Sequence, residues 1–510
     1  MRKNEKEMFE RSPILQAVFR LALPTVMGQI ILVIYNMADT FFIGMTGSDA
    51  KLTAATVCMP AFMFLSAVSN LFGIGGSSVI SRALGSSDTS TVRKVSSFSA
   101  WGCLGLTLVY SLLSWLFADV FINLLGGQAS AVHAYAREYL FITVTLGGAA
   151  TAMSTFLSHL IRSEGRSLQA SIGIMLGGVL NIALDPLFMF VLLPPGREIV
   201  GAAAATALSN VCALIYFGFT LRRNRKQSFL RFRPSLSMFS PDIVREVFSA
   251  GLPACIMTLF ENVSYAVLDN LMCACGIACQ AGLGVAKKIN MLAHCMVRGM
   301  SQGVLPLIGY NYAARNYKRM KHSIFCSGGI SVFLALLCMT ACLIFAEPLV
   351  SIFIQDENTE SIRYGACFLR ILCLGGPFSA CAYAIISFFQ ATGKGLKSFF
   401  LAILRKGLLD IPMMFLLNAL IPMTGIVMAT PITDVICSVA ALCLFTAFLK
   451  AHTEERQAAA VPGGQFPRYA AAQDRPADSV SPVRHLHIKN PFAFLLRGVA
   501  VAADPSAPDQ

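Results

Sequence analysis

Long apolar runs separated by short polar breaks fill the chain from Ile14 to Leu449. Twelve runs are long enough to cross a bilayer, for which roughly 20 apolar residues suffice. They lie at about 14–44, 52–81, 96–118, 135–160, 168–193, 200–221, 247–276, 282–312, 324–346, 362–390, 398–421 and 425–449. Their apolar positions do not alternate with period two, as the strands of a transmembrane barrel would. The pattern therefore predicts an all-α membrane protein of twelve transmembrane helices.

The polar breaks alternate in character. One set is basic: the N-terminus, Arg82/Arg93/Lys94, Arg162/Arg166, a segment from Arg222 to Arg233, Arg315/Lys318/Arg319/Lys321, Lys394/Lys397 and Lys450. The others are poor in Lys and Arg, and one is acidic, with Glu347, Asp356, Glu357 and Glu360. Basic loops stay on the cytoplasmic side, so both termini are expected there.

The chain also repeats itself at an offset of about 225 residues. Ala22-Leu23-Pro24 matches Gly251-Leu252-Pro253, and Ala83-Leu84-Gly85 matches Leu307-Ile308-Gly309. Glu164-Gly165-Arg166 matches Thr392-Gly393-Lys394, Asp185 beside Pro186 matches Asp410 near Pro412, and Thr206 falls over Thr430. Each repeat holds six spans. An even number returns the chain to the same side, so the halves are parallel repeats about an axis along the membrane normal. The expected division is a cytoplasmic N-terminus 1–13, a first lobe 14–221, a basic cytoplasmic linker 222–246 and a second lobe 247–450. A polar, Ala- and Pro-rich tail 451–510 is expected to be disordered.

Composition agrees with the pattern. Of 510 residues 55% are hydrophobic and 13% charged, and the mean hydropathy is +0.65, outside the range of soluble domains. The net charge of +13 reads as topology; no basic soluble domain is present to bind nucleic acid. The polar start MRKNEKEMFERS leads straight into a full span, unlike a signal peptide. Sixteen cysteines are scattered through apolar runs without metal-ligand spacing. Neither a Walker loop nor an HExxH or GxSxG context is present, so neither ATP-driven pumping nor hydrolysis is encoded. No cofactor is expected.

Charged groups inside the spans are the candidate chemistry. A carboxylate at the centre of a membrane helix costs roughly 2.5–3.5 kcal/mol on insertion scales, so function is the default reading. Asp39 shares a face of the first span with Tyr35, one turn earlier, and Pro24 near the start of that span is a candidate hinge. Asn181 and Asp185, also four apart, share a face of the fifth span. Thr206 lies in the sixth behind a run of alanines that permits close helix approach. Two carboxyls brought together disfavour double ionisation, which suits a proton carrier; the same oxygens suit Na⁺ held between Asp39 and Asp185. In the second half Glu261 and Asp269 nearly share a face of the seventh span, and Glu261 is the better functional candidate. Asp410 has Lys406 one turn before it, a spacing suited to a structural bridge with Lys406 snorkelling to the cytoplasmic end. Asp434 has no evident partner.

The ordered set LPTVMGQIILVIYNMADTFFIG, SRALGSSD, LIRSEGRS, LNIALDP and LPLIGYNYAARNYKRMK resembles the multidrug and toxic compound extrusion (MATE) transporters, in their DinF-like bacterial branch, over about residues 10–450. The resemblance implies two six-helix bundles facing each other in a V. It implies a monomer in the bacterial cytoplasmic membrane, in contact with lipid. The implied activity is export of small, often cationic, organic compounds in exchange for H⁺ or Na⁺. It matches Tyr35, Asp39, Asn181, Asp185 and Thr206 to the cation site of that branch and adds Tyr139. Glu261 matches the coupling acid of NorM-like relatives. Two alternatives stand beside this reading. A flippase for a lipid-linked saccharide would need several basic groups in its cavity, and few intramembrane Arg or Lys are evident. A receptor or intramembrane enzyme would have no need of two matched halves.

Overall fold

The computed structural model describes residues 3–124, 129–354 and 359–460. All regular structure among them is helical. A short helix, Lys3–Glu10, precedes the first span, Ile14–Gly44. The second, third and fourth spans are Asp49–Gly85, Thr89–Leu116 and the bent pair Ser130–Leu146 with Gly148–Ser163. The fifth runs Ser167–Pro186 and continues as a π-helical segment Leu187–Leu192; the sixth is Glu198–Arg223. The second half repeats the plan with Pro241–Cys273, Ile277–Ala313, Tyr317–Ile344 and the bent pair Glu360–Cys373 with Gly376–Ala391. The eleventh span combines Gly395–Ile403, a π segment Leu404–Leu409 and Asp410–Leu420; the twelfth is Thr424–Ala460.

Among the described residues eight helices are apolar and long enough to cross a membrane, and ten if each bent pair is one span. The remaining two of the twelve are the eighth and the eleventh. Their shortfall has a cause: Lys287, Lys288, His294 and Arg298 lie in one, Arg405, Lys406 and Asp410 in the other. The first span runs unbroken through Pro24.

Backbone conformation carries the repeat further than the sequence does. The third span begins after Ser87 at φ +63° with Asp88 as N-cap, and the ninth after Arg315 at φ +57° with Asn316 as N-cap. Asp88 accepts from the Thr91 amide at 3.0 Å and the Thr91 hydroxyl at 2.6 Å; Asn316 accepts from the Arg319 amide at 3.2 Å. Each satisfies an amide that the helix start leaves open. The Thr91 hydroxyl, with that amide, holds the Asp88 carboxyl below its usual range. Gly165 and Gly393, aligned in the repeat, both sit at positive φ (83° and 72°), the left-handed region that only glycine enters without cost.

The halves meet through matched helix pairs. The first span packs on the eighth and the seventh on the second, the two contacts that exchange if the repeats are related by a twofold. Small residues make them close. Gly303 lies against the backbone of Ala22, and Gly251 against the Leu71 carbonyl, so a β-carbon would collide at either place. The Ser78 hydroxyl donates to the Gln390 carbonyl at 2.5 Å, and Arg82 pairs with Glu246 at 3.2 Å. The N-terminal helix crosses between the halves on this side. Arg166 donates to Glu5 at 2.8 Å, while Arg319 donates to the Phe9 and Met8 carbonyls at 2.7 and 2.9 Å. These contacts cluster toward the basic breaks.

The chain divides into two units, Met1–Phe448 and Leu449–Gln510. The second unit is described only to residue 460, as helix. The expected disordered tail lies, from residue 461 onward, outside the described residues.

Candidate functional site

The first and fifth spans pack face to face because Gly178 has no β-carbon where Ile31 and Tyr35 press against it. That contact sets Tyr35 and Asp39 opposite Asn181 and Asp185. Ala202, Ala203 and Ala205 are fully buried on the sixth span and let it close on the fifth. Thr206 thereby reaches Asn181, whose amide nitrogen donates to the Thr206 hydroxyl at 3.1 Å and to Asp185 Oδ1 at 3.3 Å. Tyr139, from the fourth span, is buried and stands within electrostatic range of Asp39, Asp185 and Tyr35. All six residues expected at the cation site are therefore brought together.

Distortions surround them. The fourth span passes into a π segment, Phe141–Leu146, one residue beyond Tyr139, and the fifth does so after Pro186, which cannot donate to the helix ladder.

What the site lacks is positive charge. Asp39 is 9% exposed and Asp185 0%, yet among the described residues neither forms an ion pair. The buried Lys51 is held by Glu198 at 2.5 Å. Three oxygens in the cluster, Asp39 Oδ1, Asp185 Oδ2 and Asn181 Oδ1, are buried without a hydrogen-bond donor. Unmet acceptors of this kind are costly in an apolar interior. Every one of the three can accept a proton-bearing group or a hard cation.

The second half is arranged the other way. Asp410 receives Lys406 at 2.9 Å, the Ser264 hydroxyl at 2.6 Å, and the Thr430 and Thr433 hydroxyls at 3.1 and 3.2 Å. Lys406 is 3% exposed, so it does not snorkel: it stays inside, bonded to Asp410 and above the Tyr265 ring. Glu261 and Asp269 do not form one site. Glu261 accepts Arg298 Nη2 on both oxygens at 2.8 and 2.9 Å, whereas Asp269 is bound by Lys287 at 2.6 Å. Asp434 does have a partner, Arg405, which donates from Nε at 2.7 Å and from Nη2 to the Ser379 hydroxyl at 2.6 Å. The Arg405 guanidinium lies over the Tyr383 ring at 4.4 Å, and Ser379 bonds His294 Nδ1 at 3.3 Å. Sequence reasoning missed Arg298, Arg405, His294, Ser379 and Tyr383. A search for basic residues inside apolar runs would have found the first two. Their pairing spans 37 and 29 residues and has no periodic signature.

The MatE family model matches residues 24–187 and again 253–416, starting in each repeat at the matched proline. The chain belongs to the MatE family. As such it is a multi-span membrane transporter of the bacterial cytoplasmic membrane and not an enzyme. This MATE chain is 28% identical over 447 residues to the multidrug export protein MepA of Staphylococcus aureus (strain NCTC 8325 / PS 47), covering 87% of this chain and 96% of that one. It is 29% identical over 443 residues to the MepA of Staphylococcus haemolyticus (strain JCSC1435), covering 87% and 95%. Two solved structures share its fold. A MATE in the straight conformation superposes with a TM-score of 0.80 at 23% identity, over 89% of this chain and 100% of that chain. An outward-facing multidrug resistance MATE transporter of the MOP superfamily gives 0.79 at 23%, over 89% and 99%.

Proposed function

We propose that the chain is a secondary antiporter that exports amphipathic or cationic organic compounds in exchange for H⁺ or Na⁺ bound between Asp39 and Asp185. The observation that carries this reading is the trio of donorless oxygens on Asp39, Asp185 and Asn181, whose two carboxylates form no ion pair among the described residues. A proton or Na⁺ relieves both the unmet acceptors and the repulsion between the carboxylates. Tyr35, Tyr139 and Thr206 supply further oxygens around it. The relatives named multidrug export proteins support the substrate class.

In the proposed cycle residues 14–221 and 247–450 are the two lobes and 222–246 the linker, with residues 1–13 and the basic breaks in the cytoplasm. The inter-lobe contacts at the basic breaks close the cytoplasmic side. Cation binding at Asp39 and Asp185 favours one arrangement of the first span, flexed near Pro24, and the organic substrate favours the other. Exchange requires each ligand to bind the two arrangements unequally.

The flippase alternative is weakened by pairing. Second-half cations exist, but Lys287, Arg298, Arg405 and Lys406 each face a carboxylate. Among the described residues Lys288 is the one of these cations without an ion pair, and one charge does not cradle a pyrophosphate.

The test is dye transport by purified protein in liposomes under an imposed proton gradient or an imposed Na⁺ gradient, run separately. Transport driven by either gradient and absent without both supports exchange. Equal transport with no gradient contradicts it.

A further inference from the structure

A second charged constellation lies between the linker and the start of the third span, and the transport cycle does not use it. Where the third span starts, the linker folds back onto it. The Ser96 and Ser97 hydroxyls donate to the Arg231 carbonyl at 2.8 and 2.9 Å, and the Arg231 amide donates to Ser96 Oγ at 3.0 Å. The Trp101 indole donates to the Phe232 carbonyl at 3.0 Å. These bonds fix a cavity of about 360 Å³ lined by five cations, Arg93, Lys94, Arg225, Arg231 and Arg233, with serines and Met238 between them. Acidic side chains are absent from its lining.

Loop topology accounts for cations on this side of the membrane. It does not account for five of them converging on one cavity. Like charges gathered this closely repel. An anion in the cavity removes that cost.

The surroundings say what kind of anion. Next to the basic cavity stands an exposed apolar rim: Trp101 (43% exposed), Leu236 (92%) and Phe239 (57%). Tryptophan beside an apolar surface at a span's end marks the headgroup level of a bilayer. Phe239 also stacks edge-on against Phe98, which continues to Phe248 of the seventh span. A soluble anion has no use for such a rim, whereas a phospholipid fills both parts. We propose that this cavity binds the phosphate headgroup of an anionic phospholipid of the cytoplasmic leaflet, its acyl chains lying along Leu236, Phe239 and Trp101. The ligand would rest where the third span, the linker and the seventh span join, and so would brace the connection between the two repeats.

The experiment uses the full chain in detergent, titrated with phosphatidylglycerol, with phosphatidylcholine or with inorganic phosphate alone. Binding is read by native mass spectrometry and by thermal shift. The test variant is R93Q/R225Q/R233Q, three exposed arginines whose loss leaves the bonds between Arg231 and the third-span serines Ser96 and Ser97 intact. The control, R222Q/R223Q/K226Q, removes the same charge from exposed neighbours that do not line the cavity. At about fivefold per cation near an anionic surface, the test variant should bind phosphatidylglycerol roughly a hundredfold more weakly. Wild type and control should both bind phosphatidylglycerol and not phosphatidylcholine. Equal binding by test variant and wild type would overturn the proposal, as would equal weakening in the control. So would a shift from inorganic phosphate alone as large as that from the lipid.

Discussion

Asp185 and Asp410 occupy matched positions in the two repeats and live in opposite surroundings. Each lies beside a π segment and a proline, with a threonine of the following span alongside. The residue one turn earlier decides the difference: Asn181 in the first repeat, Lys406 in the second. Lysine brings a charge that closes the site, and Ser264, Thr430 and Thr433 complete it. The asparagine amide nitrogen brings two neutral donors, directed to Asp185 Oδ1 and to the Thr206 hydroxyl, and Asp185 Oδ2 stays open. One scaffold thus yields a locked ion pair on one side and an unfilled carboxylate pair on the other. An unfilled pair can bind and release a cation; a locked one holds helices together.

Neutralisation should separate the two halves most sharply. Asp39→Asn and Asp185→Asn should each abolish gradient-driven export while yield and melting temperature stay level or rise, since the change removes buried charge. Transport and melting curves on the same preparations check both parts.

In the second half the loss should appear in stability. Arg405→Leu strands the buried Asp434 carboxylate and should cost about 3–5 kcal/mol, seen as low yield and early unfolding. Adding Asp434→Leu should recover most of it, because replacing both partners leaves no uncompensated charge.

Lys406→Asn would give the second repeat the side chain of the first. Asp410 keeps three hydroxyl donors, so the cost should be milder, about 1–3 kcal/mol. Asp410 should then become labelled by an apolar carbodiimide, as Asp39 should be in the wild type. Mass spectrometry of the labelled peptides decides this.

Asp88→Ala is the smallest change. It removes the third-span N-cap and should cost about 1 kcal/mol with transport retained. Hydrogen bonding depresses the Asp88 carboxyl. Its contribution is therefore present above the ordinary carboxylate pKa and is lost only as pH falls through the depressed value. The thermal shift between wild type and variant should be constant from about pH 5 to pH 8, above the ordinary pKa of about 3.9.

The spans, the repeat and the paired side chains of the first-half cluster were legible in the sequence, for one reason. Apolar runs of membrane length, prolines at matched offsets and a polar side chain four residues before an acid are local signals. Tyr139, on a separate span, came only from the family resemblance. Asp39 with Tyr35 and Asn181 with Asp185 each share one helix face. The second-half network was read poorly because its bonds join separate helices. Glu261 to Arg298 and Arg405 to Asp434 require the seventh span to meet the eighth and the eleventh to meet the twelfth in one register. Lys406 was expected to snorkel because it lies near the cytoplasmic end of its span; the hydroxyls that keep Asp410 inside come from two other spans.

The central claim is that coupling resides in the open pair of the first repeat and not at Glu261, whose charge is already met by Arg298. The direct measurement is gradient-driven dye transport by Asp39→Asn and Glu261→Gln at matched protein amounts in liposomes. The account predicts transport by Glu261→Gln and none by Asp39→Asn. Transport by Asp39→Asn with none by Glu261→Gln would contradict it.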